Sequence, residues 1–134
     1  MTLQIKVIAP DQIVWNAEAE EIILPSSTGQ LGILKKHIPL LTALDIGVMR
    51  VRIEKEWQPI ILLGGFAEVD NDKITILVNG AEKINEINLN EAQNELEQAT
   101  NILTEAETNK EKIEATQRLR KARARVQAAT VLNN

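Results

Sequence analysis

Residue types that most catalytic and metal sites require are absent or rare in this chain of 134 residues. It has no cysteine, which excludes disulfides, thiolate metal ligands and cysteine nucleophiles. Its single histidine, His37, excludes paired-histidine metal motifs and leaves little material for a catalytic triad. No apolar run approaches the roughly 20 residues that a membrane-spanning helix requires. The chain therefore lacks the parts of most enzyme classes.

Charge and turn-forming residues are distributed unevenly. Residues 1–87 hold eight Lys/Arg and twelve Asp/Glu, residues 88–109 hold five glutamates and no basic residue, and residues 110–134 have a net charge of +5. All glycines, prolines and aromatic residues lie before residue 85. Because composition changes sharply where one architecture gives way to another, we predict a domain of residues 1–84 followed by one of residues 85–134.

The first segment shows the two-residue alternation of half-buried strands. Apolar and polar residues alternate at Leu3–Val7, Met49–Ile53 and Ile74–Val78, with turn-forming residues between these runs. Gly64-Gly65 interrupts a further apolar run, which indicates a bulge or a close approach of two backbones. A strand with one apolar face needs a second layer to cover it, so we predict an antiparallel β-sandwich over residues 1–84.

From residue 88 the apolar spacing changes to three and four residues, which is typical of amphipathic helices. The first stripe consists of Leu89, Ala92, Leu96, Ala99, Leu103 and Ala106, and the second of Ala115, Leu119, Ala122, Val126 and Ala129. Capping boxes at Asn88/Glu91 and Thr108/Glu111 mark the helix starts. We predict an antiparallel two-helix hairpin, which is marginally stable because its alanine-rich stripes bury little apolar area.

Three short motifs in the first segment have plain structural interpretations. Gly29–Gly32 lacks the Gly-Lys-Ser/Thr sequence and the following helix of a phosphate loop, so a turn is favoured. His37 has no identifiable acid–base partner, which favours a surface or hydrogen-bonded histidine. Glu18, Glu20 and Glu21 are interpreted as a solvated sheet edge, because neighbouring strand residues point to opposite faces.

The last helix carries the most informative cluster, a basic strip that consists of Arg118, Arg120, Lys121, Arg123 and Arg125. Arg118, Lys121 and Arg125 share one helix face by their spacing, and the other two flank it. Two interpretations stay open: a solvated face that balances the acidic first helix, or a docking surface for an acidic partner. The overall charge of -4 and the absence of aromatic residues in this half argue against nucleic acid, so an acidic protein is preferred.

Three motifs resemble those of the epsilon subunits of F-type rotary ATP synthases: Leu24–Leu44 (LPSSTGQLGILKKHIPLLTAL), Gly64–Val69 (GGFAEV) and Asn79–Glu82 (NGAE). The arginine-rich last helix extends the likeness over essentially the whole chain. Residues Ile22–Pro25 and Thr75–Lys83 are most similar to the photosynthetic branch, from cyanobacteria and plastids. The resemblance implies a non-catalytic subunit of the central rotor stalk, without a cofactor.

The resemblance also implies a partner for each candidate site. The sandwich is implied to bind the gamma subunit and the c-ring, so that contact with the membrane is indirect, through the complex. The loop on the c-ring matches Ser26, Ser27, Thr28, Gly29 and Gln30, and His37 lies towards gamma. The hairpin is implied either to fold against the sandwich or to extend along gamma into the alpha/beta catalytic head. There the basic strip meets an acidic segment of the beta subunit and inhibits ATP hydrolysis.

One departure from the family concerns nucleotide binding. Some members bind ATP in the hairpin through a motif of the form Ile-Asp-x-x-Arg-Ala, which corresponds here to Ile87-Asn88-Leu89-Asn90-Glu91-Ala92. Asn88 replaces the acid and Glu91 replaces the arginine, and a glutamate repels phosphate where an arginine pairs with it. We therefore predict that this chain does not bind ATP at the start of the hairpin.

The leading hypothesis is a rotary-stalk subunit that couples the rotor to the catalytic head and inhibits ATP hydrolysis. The alternative is a general scaffold, a β-sandwich with a helical hairpin that recruits another acidic protein, and an enzyme ranks third. The start, Met1-Thr2-Leu3-Gln4, has the layout of neither a signal peptide nor a transit segment. With the resemblance, this predicts a peripheral protein of the thylakoid membrane, on the side of the catalytic head, in either a cyanobacterium or a plastid.

Overall fold

The computed structural model describes residues 2–10, 12–83 and 88–132, which form strands followed by helices. The strands are β1 (Leu3–Ala9), β2 (Gln12–Ala19), β3 (Glu21–Ser26), β4 (Gly29–Leu34), β5 (Leu40–Ile53), β6 (Glu56–Asp70), β7 (Lys73–Val78) and β8 (Ala81–Lys83). The helices are α1 (Leu89–Glu105) and α2 (Asn109–Leu132). The predicted order of elements is confirmed, while the predicted boundary between residues 84 and 85 lies outside the described residues.

The strands form one hydrogen-bonded sheet in the order β2-β1-β7-β6-β5-β3-β4, with β8 paired to β6. Among the described strand pairs, β1 and β7 run parallel and the others antiparallel. The long strands β5 and β6 pair along most of their length at the centre of the sheet. Strand β6 pairs with β7 through residues 65–70 and with β8 through residues 60–62. The two long strands therefore belong to both layers of the sandwich.

The sheet folds over where β5 and β6 both change their inward-facing residues by one position. The residues buried in the sandwich core are Leu44, Met49 and Val51 in β5 and Ile60, Leu62, Ala67 and Val69 in β6, so odd and even positions exchange in both strands. The exchange occurs at Asp45 and Gly64, the one facing pair that is missing from an otherwise unbroken register. Gly64 has a φ angle of 83°, and this conformation bends the strand where the pairing is interrupted. The two halves of the sheet can therefore close on one core.

Gly65 marks a close approach of two backbones, one of the two alternatives that the sequence left open. Gly64 and Gly65 have φ angles of 83° and 153°, a region that side chains rarely adopt. A Cβ atom on Gly65 would overlap the carbonyl oxygen of Leu77 and lie 2.8 Å from the Cα of Val78. Strand β7 thus occupies the space that any side chain at residue 65 requires.

One apolar cluster fills the space between the layers. The alternations predicted for β1 and β7 are confirmed, since their inward residues are buried in this cluster. Its fully buried larger side chains include Leu3, Ile5, Val7, Ile22, Leu24, Ile33, Met49, Val51, Leu62, Ile74 and Ile76. Full burial of one such side chain stabilises the folded chain by about 1.5–3 kcal/mol, so the sandwich is the stable part of the molecule.

Both helices begin where the capping signals predict. The side-chain oxygen of Asn88 accepts the backbone N–H groups of Asn90 and Glu91 at 2.8 and 3.3 Å. The hydroxyl of Thr108 accepts the N–H of Glu111 at 3.1 Å, and the carboxylate of Glu111 accepts the N–H of Thr108 at 3.5 Å. These bonds satisfy amide groups that have no partner within the first turn of a helix.

Helix α2 is buried on two faces, of which the sequence pattern identified one. Towards α1 it buries members of the predicted stripe, including Ala115, Ala122 and Ala129. Ala124 and Ala128 are buried as well, against Val48, Ile61 and Leu63 on the outside of β5 and β6. The hairpin is thus folded against the sandwich, one of the two arrangements that the resemblance implied. Alanine suits both faces because a methyl group lets the helix approach two neighbours closely.

Candidate interaction surfaces

An exposed apolar row crosses the outer face of the sandwich. The row crosses five neighbouring strands, and each of its residues pairs with the next one: Ile13 in β2, Ile8 in β1, Leu77 in β7, Phe66 in β6 and Ala43 in β5. The exposed fractions of Ile13, Leu77 and Phe66 are 58%, 51% and 58%. Single exposed apolar residues are common, but a continuous row is typical of a surface that binds another protein.

Two more apolar residues are exposed at and just before the start of β5. Leu41 is 72% exposed and lies two residues before Ala43, so both point to the same side of the sheet. Ile38 is 74% exposed and follows His37, whose Nδ1 lies 2.7 Å from the Ile38 carbonyl oxygen. His37 is half-buried and hydrogen-bonded to backbone, as one of its two plain interpretations predicted.

The sequence analysis missed the apolar row because its residues come from five strands that meet only through pairing. One signal was available at Leu77. It occupies a position where the alternation of β7 expects a polar residue, and the structure places its side chain in solvent. An apolar residue on the solvent side of a strand indicates an interface when its cross-strand neighbours are also apolar.

The turn between β3 and β4 contains the five residues predicted to contact a c-ring. Ser27, Thr28, Gly29 and Gln30 are exposed, whereas Ser26 is buried. Gln30 accepts a hydrogen bond from Nη2 of Arg50 at 3.0 Å. The structure therefore exposes four of the five predicted residues to solvent, and their contact with a c-ring stays a prediction.

Ser26 anchors this turn from below. Its Oγ accepts the N–H of Thr28 at 3.3 Å and lies 3.2 Å from Oγ1 of Thr28 and 3.3 Å from Oγ1 of Thr42. The N–H of Ser27 donates to the carbonyl oxygen of Ala43. These contacts tie the exposed turn to β5, so Ser26 holds the surface in place and is not itself part of it.

The structure divides the basic strip into two groups. Nε of Arg118 donates to Glu95 of α1 at 2.8 Å. Arg125 donates from Nε and Nη2 to the two carboxylate oxygens of Glu82 in β8, at 2.9 and 2.8 Å. Lys121 is half-buried between them on the same face of the helix. One face of the strip is therefore turned towards carboxylates of the chain itself.

The second group of the basic strip faces solvent. Arg120 and Arg123 are exposed and line a polar cleft of about 250 Å³ beside the bend of β5, together with Asp45 and Gln127. No ion pair in the described part of the chain includes either arginine. The spacing on the helix wheel predicted this division, but which group met a carboxylate depended on the docking of the hairpin.

The ion pairs shift the pKa of both carboxyl groups. The hydrogen bond from Arg125 lowers the pKa of Glu82, and the positive charges of Arg125 and Lys121 add to this against the opposing effect of burial. The hydrogen bond from Arg118 likewise lowers the pKa of Glu95. Both carboxyls are ionised at neutral pH, so each of the two arginines has a negatively charged partner.

The acidic cluster near β2 has a structural role. Arg52 lies 3.6 Å from Glu20 and 3.7 Å from Glu21, and its guanidinium is 5.6 Å from the ring centre of Trp57. Glu18 accepts a hydrogen bond from the hydroxyl of Thr2 at 3.2 Å. These distances show ion pairing at the sheet surface. In the described part of the chain, no group of three His, Cys, Asp or Glu side chains is arranged to hold a metal ion.

Two further motifs have the geometry that their plain interpretations predict. Gly29–Gly32 lies in the hairpin of β3 and β4, where no helix follows it, as the favoured turn interpretation requires. Asn88 caps α1 and Glu91 is exposed in the first turn. The absence of ATP binding at this end of the hairpin stays a prediction. Among the described helices, none is both long enough and apolar enough to cross a membrane.

The chain matches two family descriptions in sequence order. Residues 2–84 match "ATP synthase, Delta/Epsilon chain, beta-sandwich domain", and residues 85–130 match "ATP synthase, Delta/Epsilon chain, long alpha-helix domain". The chain belongs to the ATP synthase delta/epsilon family. Together the two matches confirm a β-sandwich followed by long helices, and they confirm the resemblance on which the sequence analysis relied.

Two relatives of high identity come from a plastid and from a cyanobacterium. The chain is 74% identical to the chloroplastic ATP synthase epsilon chain of Gracilaria tenuistipitata var. liui over 134 residues, with 100% of both chains covered. It is 58% identical to the ATP synthase epsilon chain of Thermosynechococcus vestitus over 132 residues, with 96% of each covered. The predicted likeness to the cyanobacterial and plastid branch is therefore confirmed.

Chains in two solved structures share the fold. A chain in the cryo-EM structure of Euglena gracilis mitochondrial ATP synthase (OSCP/F1/c-ring) has a TM-score of 0.83 and 20% identity, with 96% of this chain and 81% of that one covered. A chain in the Tetrahymena thermophila mitochondrial ATP synthase central stalk/c-ring structure has a TM-score of 0.66 and 16% identity, with 96% of each covered. At these identities the likeness concerns the fold.

Proposed function

We propose that this delta/epsilon-family chain is a non-catalytic subunit of the central rotor stalk of an F-type ATP synthase, where it couples the rotor to the catalytic head. In this proposal residues 1–84 bind gamma and the c-ring, and residues 85–134 regulate ATP hydrolysis. The observation that carries the proposal is the exposed apolar row, because a row of this kind needs a partner surface.

The apolar row suits an obligate protein partner, for which we propose the gamma subunit. Five strands at 4.7–4.9 Å spacing give the row a length of about 20 Å. Contact between apolar side chains and water is unfavourable in the free chain, and covering the row in an assembly removes that contact. His37 directly precedes the exposed Ile38, just before β5, and its proposed position on the gamma side rests on the resemblance.

The polar turn and the basic strip supply the other two proposed contacts. Ser27, Thr28, Gly29 and Gln30 form a small exposed turn held by Ser26, which suits the polar loops of a c-ring. The exposed guanidinium groups of the basic strip suit an acidic segment of the beta subunit, because arginine pairs with carboxylates through two parallel hydrogen bonds. Docking of the strip in the catalytic head is the proposed cause of inhibition.

The proposed location is the thylakoid membrane, on the side of the catalytic head. The named chloroplastic and cyanobacterial epsilon chains support this location. Attachment is indirect in this proposal, through gamma and the c-ring.

The test of the proposed function is binding of gamma to variants of the apolar row. Phe66→Glu and Leu77→Glu place a charge in the middle of the row, so we expect at least a tenfold loss of affinity in a titration with purified gamma. Ile113→Glu is the matched control, because Ile113 is 61% exposed on α2 outside the row. Equal affinity of the row variants and the control would show that gamma does not bind this surface. Circular dichroism verifies that each variant is folded.

A further inference from the structure

We propose that Glu82 and Glu95 form an electrostatic latch that holds the hairpin against the sandwich by occupying Arg125 and Arg118, and so withholds part of the basic strip from its partner. The inference rests on the proposed inhibitory role of the strip. It adds the residues that regulate the release of the strip, all of which belong to this chain.

The pair between Glu82 and Arg125 joins the hairpin to the sandwich. Glu82 lies in β8 and Arg125 in α2, and two hydrogen bonds of 2.9 and 2.8 Å connect them. Among the ion pairs of the described residues, this pair is the one that links a helix to a strand. About a third of each side chain is exposed, so solvent screens the pair less than at a fully exposed surface. The hairpin can separate from the sandwich only if this contact breaks.

The pair between Glu95 and Arg118 joins the two helices of the hairpin. Nε of Arg118 lies 2.8 Å from Oε1 of Glu95, across the contact between α2 and α1. This pair is more exposed on the arginine side, at 44%. We therefore expect it to contribute less than the pair of Glu82, which also forms two hydrogen bonds instead of one.

Apolar packing alone holds α2 weakly against the sandwich. The contact consists of the methyl groups of Ala124 and Ala128 against Val48, Ile61 and Leu63. Methyl groups bury little area, so the ion pairs contribute a substantial share of the stability of the folded hairpin. A modest change in the ion pairs is therefore sufficient to shift the balance between folded and released hairpin.

The latch and the docking of the strip compete for the same atoms. Nε and Nη2 of Arg125 already donate to one carboxylate, so this edge of the guanidinium is not available to a second one and its charge is compensated by Glu82. Docking of Arg125 on an acidic partner through the same edge therefore requires that the contact to Glu82 break first. Replacement of the glutamate of a pair must then have the opposite effect on inhibition from replacement of the arginine. An ion pair that only stabilises the fold does not predict this opposition.

The experiment compares Glu82→Gln, Glu95→Gln and Arg125→Gln in assembled synthase and in the isolated full chain. Each glutamate variant releases an arginine and leaves the basic strip intact. We expect amide exchange in α2 of the isolated chain to accelerate about three- to tenfold for Glu82→Gln. ATP hydrolysis by the assembled enzyme should fall about two- to fivefold. Arg125→Gln should also accelerate the exchange, but it should raise hydrolysis or leave it unchanged, because the docking residue is lost.

Glu97→Gln is the matched control. It also removes one negative charge, in this case from α1. Glu97 is exposed, and no ion pair in the described part of the chain includes it. Equal α2 exchange in Glu82→Gln and Glu97→Gln would overturn the latch. Replacement of all five strip residues by glutamine tests the proposed inhibition separately. If that variant does not relieve inhibition, the inhibitory role fails, while the exchange measurement still decides whether the latch exists.

Discussion

Gly65 has no side chain because β7 passes through the space where one would lie. We expect Gly65→Ala to lower the free energy of unfolding by at least about 2 kcal/mol, since the overlap involves backbone atoms and the φ angle of 153° is unfavourable for alanine. Urea unfolding followed by circular dichroism measures the change. Gly32→Ala is the control, because no atom lies within 4 Å of its added Cβ. Similar losses in both variants would contradict this account of Gly65.

Glu82 and Glu95 make the folded hairpin sensitive to acid. Their pKa values lie below the ordinary 4.5, Glu82 facing Arg125 and Lys121 and Glu95 facing Arg118 and Arg125. The carboxyl groups of Glu82 and Glu95 bind protons more readily in the unfolded chain than in the folded chain. The stability that they give to the folded chain is therefore present above pH 4.5 and is lost as the pH falls below it.

Thermal unfolding of the wild type and of Glu82→Gln therefore gives a pH test. The difference in melting temperature should be present at pH 7 and should shrink as the pH falls below 4.5, because the glutamate loses its charge and comes to resemble the amide. A difference that stays constant down to pH 3 would show that the charge of Glu82 does not stabilise the fold.

At the scale of elements, α2 combines two buried faces on one helix. We expect Ala128→Leu to weaken docking on the sandwich by about 1–3 kcal/mol, because Ala128 is fully buried and the larger side chain has no space. Faster amide exchange in α2, with β1 and β7 unchanged, would identify release of the hairpin instead of global unfolding. Gln117→Leu, on an exposed part of α2, should leave the exchange unaffected. Exchange in Ala128→Leu equal to that control would contradict the second face.

The elements differed in how far the sequence predicted them. The strands β1 and β7 and the helix starts at Asn88 and Thr108 follow from alternation and capping, which depend on residues close together in the chain. The burial of Ala124 and Ala128 does not, because an alanine in a helix fits equally well in solvent and against a neighbour. Only the positions of Val48 and Ile61 on the outside of the sheet decide it.

At the scale of the whole molecule, the proposed function assigns assembly to the sandwich and regulation to the hairpin. We expect deletion of residues 88–134 to allow assembly of the synthase, since the apolar row and the β3–β4 turn remain, and to remove the restraint on ATP hydrolysis. ATP hydrolysis and subunit composition of the reconstituted enzyme measure both effects. Unchanged hydrolysis would contradict the inhibitory role. The deletion also uncovers Val48, Ile61 and Leu63, so Leu63→Gln in the shortened chain controls for aggregation.

The sequence by itself determined the order and type of the elements, an irregularity at Gly64-Gly65, the charge of each segment and the family. These follow from local spacing and from motifs that neighbouring residues form. The tertiary structure alone decided which residues make the apolar row, that Ser26 is an anchor, and that Arg118 and Arg125 have internal partners. Each of these depends on strand pairing or helix docking between residues far apart in the chain. The lack of cysteine and the single histidine excluded disulfides, thiolate ligands and paired-histidine metal motifs, and tertiary contacts then decided which residues form the surfaces that we propose for partners.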